Sequence, residues 1–107
     1  MFYLSYPGSR AYNISSTEDL KNEYPSAIGV YNLTDQWFNK KPVYKHLEEE
    51  IFLYSGRYGY WTVWWTLNQH VSGWFYSKTR SAVPPTTDWW YNPNGWIPDP
   101  SLTVVRV

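Results

Sequence analysis

The chain has no cysteine in its 107 residues. That excludes disulfides, thiolate chemistry and any zinc site built on sulfur. A domain of this length can bury enough surface to hold together without such staples. The absence fits an intracellular setting, or a module excised from a longer protein, better than a small secreted scaffold. Nine basic and nine acidic side chains cancel. The bulk positive field that sequence-independent nucleic-acid binding relies on is therefore missing. The longest basic run, Lys40-Lys41, is too short to hold an anionic membrane surface. No window approaches the ~18 apolar residues of a membrane helix. The opening residues, Met1-Phe2-Tyr3-Leu4-Ser5-Tyr6-Pro7-Gly8, have neither the basic start nor the apolar run of a signal peptide. No nucleic-acid partner and no membrane insertion are expected.

Helical periodicity is also scarce. One short helix is expected over residues 17–23, because Ser15 followed by Glu18 has capping-box spacing and Tyr24-Pro25 ends the run. Two histidines, His46 and His70, stand far apart and lack the spacing of metal ligands, so neither a metal nor a cofactor is expected. There is no Gly-x-Ser-x-Gly and no phosphate-binding glycine loop. Glu48-Glu49-Glu50 belong to a charged turn. Asp88 and Asp99 flank a Trp-rich segment, where they read more readily as loop and turn chemistry than as a hydrolytic pair. The expectation is that the chain is not an enzyme.

What is abundant is aromatic: eight Trp, eleven Tyr and four Phe. Each such ring can bury roughly 150–250 Å², so aromatics carry the packing that Leu, Ile and Val carry elsewhere. Tyr54-Ser55-Gly56-Arg57-Tyr58-Gly59-Tyr60-Trp61-Thr62-Val63-Trp64-Trp65 concentrates this character. Its glycines make a turn, and the β-branched and aromatic residues after it make a strand. It predicts a hairpin whose second arm is a central strand. Alternation puts Trp61, Val63, Trp65 and Leu67 on the core face and Tyr60, Thr62, Trp64 and Thr66 on the other. Further strands are expected at residues 2–6, 11–14, 27–33, 43–47, 51–54, 74–77, 96–97 and 102–107, with a surface loop through Pro84-Pro85. Trp89-Trp90-Tyr91 and Trp96-Ile97 form a hairpin around Asn92-Pro93-Asn94-Gly95. The predicted fold is one all-β domain over residues 1–107, an antiparallel meander, small sandwich or barrel with one short N-terminal helix.

From Gly29 onward the landmarks have a recognisable order: Gly29-Val30-Tyr31, Lys41-Pro42-Val43-Tyr44-Lys45-His46, Phe52-Leu53-Tyr54, Tyr60-Trp61-Thr62-Val63, Trp89-Trp90, Gly95-Trp96 and Asp99-Pro100. This resembles an uncharacterised aromatic-rich β-module that recurs, alone or in tandem, in multidomain proteins. The pattern has glycine in the turn before Pro-Val-Tyr, where this chain has Asn39-Lys40-Lys41. The resemblance implies a module and no particular activity.

Trp89 and Trp90 must point to opposite faces of their strand, so both cannot enter one core. An exposed indole offers apolar and CH–π contact to a sugar ring, while Asn and Asp orient it by hydrogen bonds. The expected ligand-binding residues are Trp89, Trp90, Tyr91, Asn94, Trp96 and Asp99, with Tyr60 and Trp64 as a second patch. The expected function is non-catalytic carbohydrate binding of a lectin-like kind. The alternative is a protein-interaction or assembly module, self-association included, since exposed Trp and Tyr are also interface hot spots. Asn13-Ile14-Ser15 and Asn32-Leu33-Thr34 match the glycosylation acceptor pattern and favour an extracellular setting. The missing leader and cysteines oppose it, and the compartment stays open.

Overall fold

The computed structural model describes residues 8–17, 24–92 and 95–107. Among them are nine strands: β1 (Ala11–Ser15), β2 (Gly29–Phe38), β3 (Lys41–His46), β4 (Phe52–Ser55), β5 (Trp61–Trp64), β6 (Phe75–Ser77), β7 (Trp89–Tyr91), β8 (Ile97–Pro98) and β9 (Thr103–Arg106). They form one antiparallel sheet, ordered β8-β7-β6-β5-β4-β3-β2-β1-β9. Strands β1 to β8 are a meander, each beside its predecessor, as short connections dictate. Strand β9 returns to pair with β1, and the sheet curls into a half-barrel. The 3₁₀ turn Pro25–Ala27 precedes β2, with proline pre-set at its start. The helix expected over residues 17–23 lies, beyond Thr17, outside the described residues, and so does the strand expected at residues 2–6.

The register explains why the sheet curls. Leu33, Tyr44, Leu53, Val63, Phe75 and Tyr91 face one another in turn across β2 to β7. A second row runs Ser55, Trp61, Ser77, Trp89. Tyr12, Ile14, Tyr31 and Val104 extend the apolar face onto β1, β2 and β9. Rolling this face inward removes it from water. Trp61 and Trp89 are wholly enclosed, and their indole N–H groups donate to the Ser81 and Pro85 carbonyls at 2.8 and 2.9 Å. The proline-containing loop therefore caps one end of the curl while satisfying the two largest core side chains. Val104 N–H reaches the Thr86 carbonyl of the same loop at 3.0 Å.

The core assignment within the central hairpin needs one correction. Trp61 and Val63 are fully buried, but Trp65 is 58% exposed and Leu67 is only half-buried. Strand β5 ends at Trp64, so alternation stops before either residue. The chain leaves the sheet there and crosses back over its outer side. Tyr54 Oη donates to the Asn68 carbonyl at 3.0 Å and accepts from Asn68 N–H at 3.3 Å. Trp74 N–H returns to the Val63 carbonyl at 3.0 Å. Gly73 (φ +74°) makes the approach possible, because a Cβ there would strike the Val63 carbonyl oxygen and the Thr62 methyl. Outward-facing Tyr54 and Thr62 are consequently buried.

The β2–β3 connection is the two-residue turn Asn39-Lys40, closing on the Phe38–Lys41 pair. Both residues have positive φ, 52° and 70°, which suits the twist of a two-residue hairpin. Asn tolerates this backbone readily and Lys does not. Lys40→Gly is expected to raise the unfolding free energy by about 0.5–1 kcal/mol in urea denaturation. In the same assay Gly73→Ala should lower it by about 2–4 kcal/mol, through positive φ and backbone collision together.

Candidate functional site

The fold divides the eight expected site residues. Trp89 and Tyr91 face the interior and belong to the core. Asp99 is buried in the turn after β8. Its Oδ2 accepts from Ser16 Oγ at 3.1 Å, and its Oδ1 accepts from Ser101 N–H and Ser101 Oγ at 2.9 and 2.7 Å. This carboxylate holds the chain after β1 against the turn into β9. Asn94 lies outside the described residues. The remaining four, Tyr60, Trp64, Trp90 and Trp96, are on the outer side and keep some exposure.

Three of those four are gathered through a residue that sequence reasoning passed over, Tyr76. Tyr60 lies nearly parallel to Tyr76, with centroids 6.0 Å apart and planes 18° apart. Trp96 meets Tyr76 edge-on at 4.7 Å, and Tyr58 meets Tyr60 edge-on at 5.7 Å. These are the offset and edge geometries that ring quadrupoles favour. Trp90 is directly opposite Tyr76 in the sheet. The result is a ladder, Tyr58–Tyr60–Tyr76–Trp96, with Trp90 beside it. Its ends are open, with Tyr58 62% and Trp96 36% exposed, and its middle is the buried Tyr76.

Cations lie on these rings. Arg80 Cζ is 4.9 Å from the Tyr60 centroid, and its Nε donates to the Tyr58 carbonyl at 2.6 Å. Arg57 Cζ is 5.0 Å from Tyr58, and Lys78 Nζ is 4.3 Å from Trp90. Lys41 Nζ donates to the Gly59 carbonyl at 3.3 Å. Tyr58, Tyr76, Arg57, Lys78 and Arg80 were absent from the sequence-based set. The available signal was the meander rule. Consecutive short strands lie side by side, so the outward residues near 60, 76 and 90 fall into one row.

Trp64 belongs to a different group. It contacts Trp65 at 6.1 Å and Trp74 at 5.1 Å, and Trp74 stacks on Tyr24 at 5.8 Å with planes 29° apart. A shallow depression beside Tyr24 and Trp74 reaches Ala27 and Ile51. Trp64 is four residues from Tyr60, about 13 Å along the chain at strand rise. The two expected members of one patch therefore sit in separate clusters.

The other titratable candidates have structural surroundings. His46 is buried: its Nδ1 accepts from the backbone N–H of Glu48 and Glu49 at 3.0 and 3.2 Å. The proton is thereby placed on Nε2, which donates to the Ile28 carbonyl at 2.8 Å. His70 is exposed in the 65–74 crossing. Among the described residues no three His, Cys, Asp or Glu side chains gather as metal ligands. Likewise no described helix is long and apolar enough to cross a membrane. Burial raises the Tyr31 hydroxyl far above its ordinary range. It raises Tyr76 as well, with nearby Tyr60 adding to the shift. No family model, no curated protein and no solved structure matches this chain.

The Tyr54 hydroxyl, pushed up to about 12 by burial despite its hydrogen bond with Asn68, gives a pH signature. Its unfolded value is near 10. A raised folded value means the contribution is intact below pH ~10 and lost as pH climbs through ~12. Denaturation series across that window should show falling stability. Tyr54→Phe should lessen the slope, while the buried Tyr31 and Tyr76 keep the remainder.

Proposed function

We propose that the chain is a non-catalytic carbohydrate-binding module whose platform is the Tyr58–Tyr60–Tyr76–Trp96 ladder with Trp90 at its side. The observation that carries this reading is the ladder itself. Its rings lie on the outer side of a sheet whose core is already filled by Trp61, Trp89 and Phe75. Tyr58 and Trp96 hold their exposed area against neighbouring rings, so little side-chain entropy remains to be lost on binding. Tyrosine hydroxyls and the Trp96 indole N–H add orienting polar groups.

The alternative, an assembly module, draws on the Trp65–Trp64–Trp74–Tyr24 cluster. Trp65 is 58% exposed there, and such residues dominate protein interfaces.

A glycan array followed by intrinsic Trp fluorescence titration separates the two. Trp96→Ala is expected to weaken binding of the selected glycan about five- to thirtyfold, because a stacked ring is worth roughly 1–2 kcal/mol. Its melting temperature should change by only about 2 °C, since the ring is partly exposed. Trp65→Ala should leave glycan affinity unchanged. Silence across the array, with self-association abolished by Trp65→Ala, transfers the function to the second cluster.

A further inference from the structure

The chain is neutral as a whole, but its charges are not evenly placed. Among the described residues the single ion pair is Lys45 with Glu50, at 3.3 Å, on the β3–β4 side. Arg57, Lys78 and Arg80 are exposed, lie over rings of the ladder group, and have no described carboxylate within salt-bridge distance. Lys41 joins them at Gly59. Burial first, and the neighbouring Arg80 charge second, pull its amine below the usual lysine range.

The acidic residues of the described chain are mostly elsewhere. Glu48, Glu49 and Glu50 occupy the bend at the far end of β3, Asp35 is exposed on β2, and Asp99 is buried with Ser16 and Ser101. Exposed Asp88 is the exception. It precedes Trp89, the partner of Ser77, so the register brings it beside Lys78. Among the described residues, three exposed cations lie on rings of the ladder group and Asp88 is the carboxylate the register sets beside them, an excess of positive charge. A guanidinium already laid on a ring has given up much of its rotamer freedom and still presents its N–H edge.

We propose that the ligand is an anionic polysaccharide, its sugar faces resting on the exposed rings Tyr58 and Trp96 and its carboxylate or sulfate groups paired with Arg57, Lys78 and Arg80. This rests on the carbohydrate reading of the same surface. Charge complementarity selects the acidic polymer over a neutral one. The aromatic ladder selects a ring-bearing polyanion over a simple ion.

Trp fluorescence titrations of the full chain with polygalacturonate, heparin, a neutral glucan and oligothymidylate provide the test. At about 50 mM NaCl, polygalacturonate or heparin should bind at least about tenfold more tightly than the neutral glucan. The difference should shrink toward unity near 0.5 M, where exposed pairs are screened. The two anionic polymers separate carboxylate from sulfate recognition. Lys78→Gln/Arg80→Gln should collapse the anionic-to-neutral ratio, whereas Lys45→Gln should leave it intact. If the double variant fails to melt cooperatively, Arg57→Gln serves, since Arg57 is exposed beside an exposed ring. Equal affinity for neutral and anionic polymers overturns the inference and leaves the carbohydrate reading standing. Binding to no polysaccharide overturns both. Binding to oligothymidylate alone also overturns both, in favour of single-stranded nucleic acid.

Discussion

Everything in this domain depends on the period-two alternation of aromatic side chains across a sheet of very short strands. One parity supplies the row from Leu33 to Tyr91 that fills the curl. The other supplies Tyr54, Thr62, Tyr76 and Trp90, which have no second sheet to pack against. The structure resolves that difficulty in two ways. The 65–74 crossing covers Tyr54 and Thr62, and aromatic contacts among Tyr60, Tyr76 and Trp96 cover much of the rest. What the covering leaves bare is the candidate site.

This arrangement also explains how Trp and Tyr serve a core without stranding their polar atoms. Trp61 and Trp89 donate to loop carbonyls, Tyr31 donates to Ala27 at 2.7 Å, and Tyr44 donates to Ser9 at 2.9 Å. Each ring therefore does two jobs: its face excludes water and its polar edge fixes a neighbouring loop. Loops that would otherwise be loosely held over an aromatic core become part of its hydrogen-bonding inventory.

Much of the fold was legible in the residue order. Alternation, turn glycines and prolines located most strands to within a few residues, and the central hairpin was read with its turn in the right place. The core role of Trp65 was misread because alternation says nothing about where a strand stops. Backbone space, set by Gly73 and the Val63 carbonyl, decided that. The site was legible only in part. Trp90, Trp96 and Tyr60 were anticipated as surface rings, but Trp64 was joined to the wrong neighbours, and Tyr76 was missed because its importance lies in what stands across from it. The cations were invisible for a related reason. Arg57, Lys78 and Arg80 are scattered in sequence, and the meander brings the rings they lie on, Tyr58, Trp90 and Tyr60, into one group.

The pairing of β9 with β1 has a mechanical consequence. Arg106 lies opposite Tyr12, and Val107 N–H reaches the Ala11 carbonyl at 3.1 Å, so the start of β1 and the end of β9 lie side by side. Tension on the chain to either side would load this strand pair at one end, and its hydrogen bonds would part in succession rather than all at once in shear. The ladder, at the other end of the strand order, lies outside the first bonds to open.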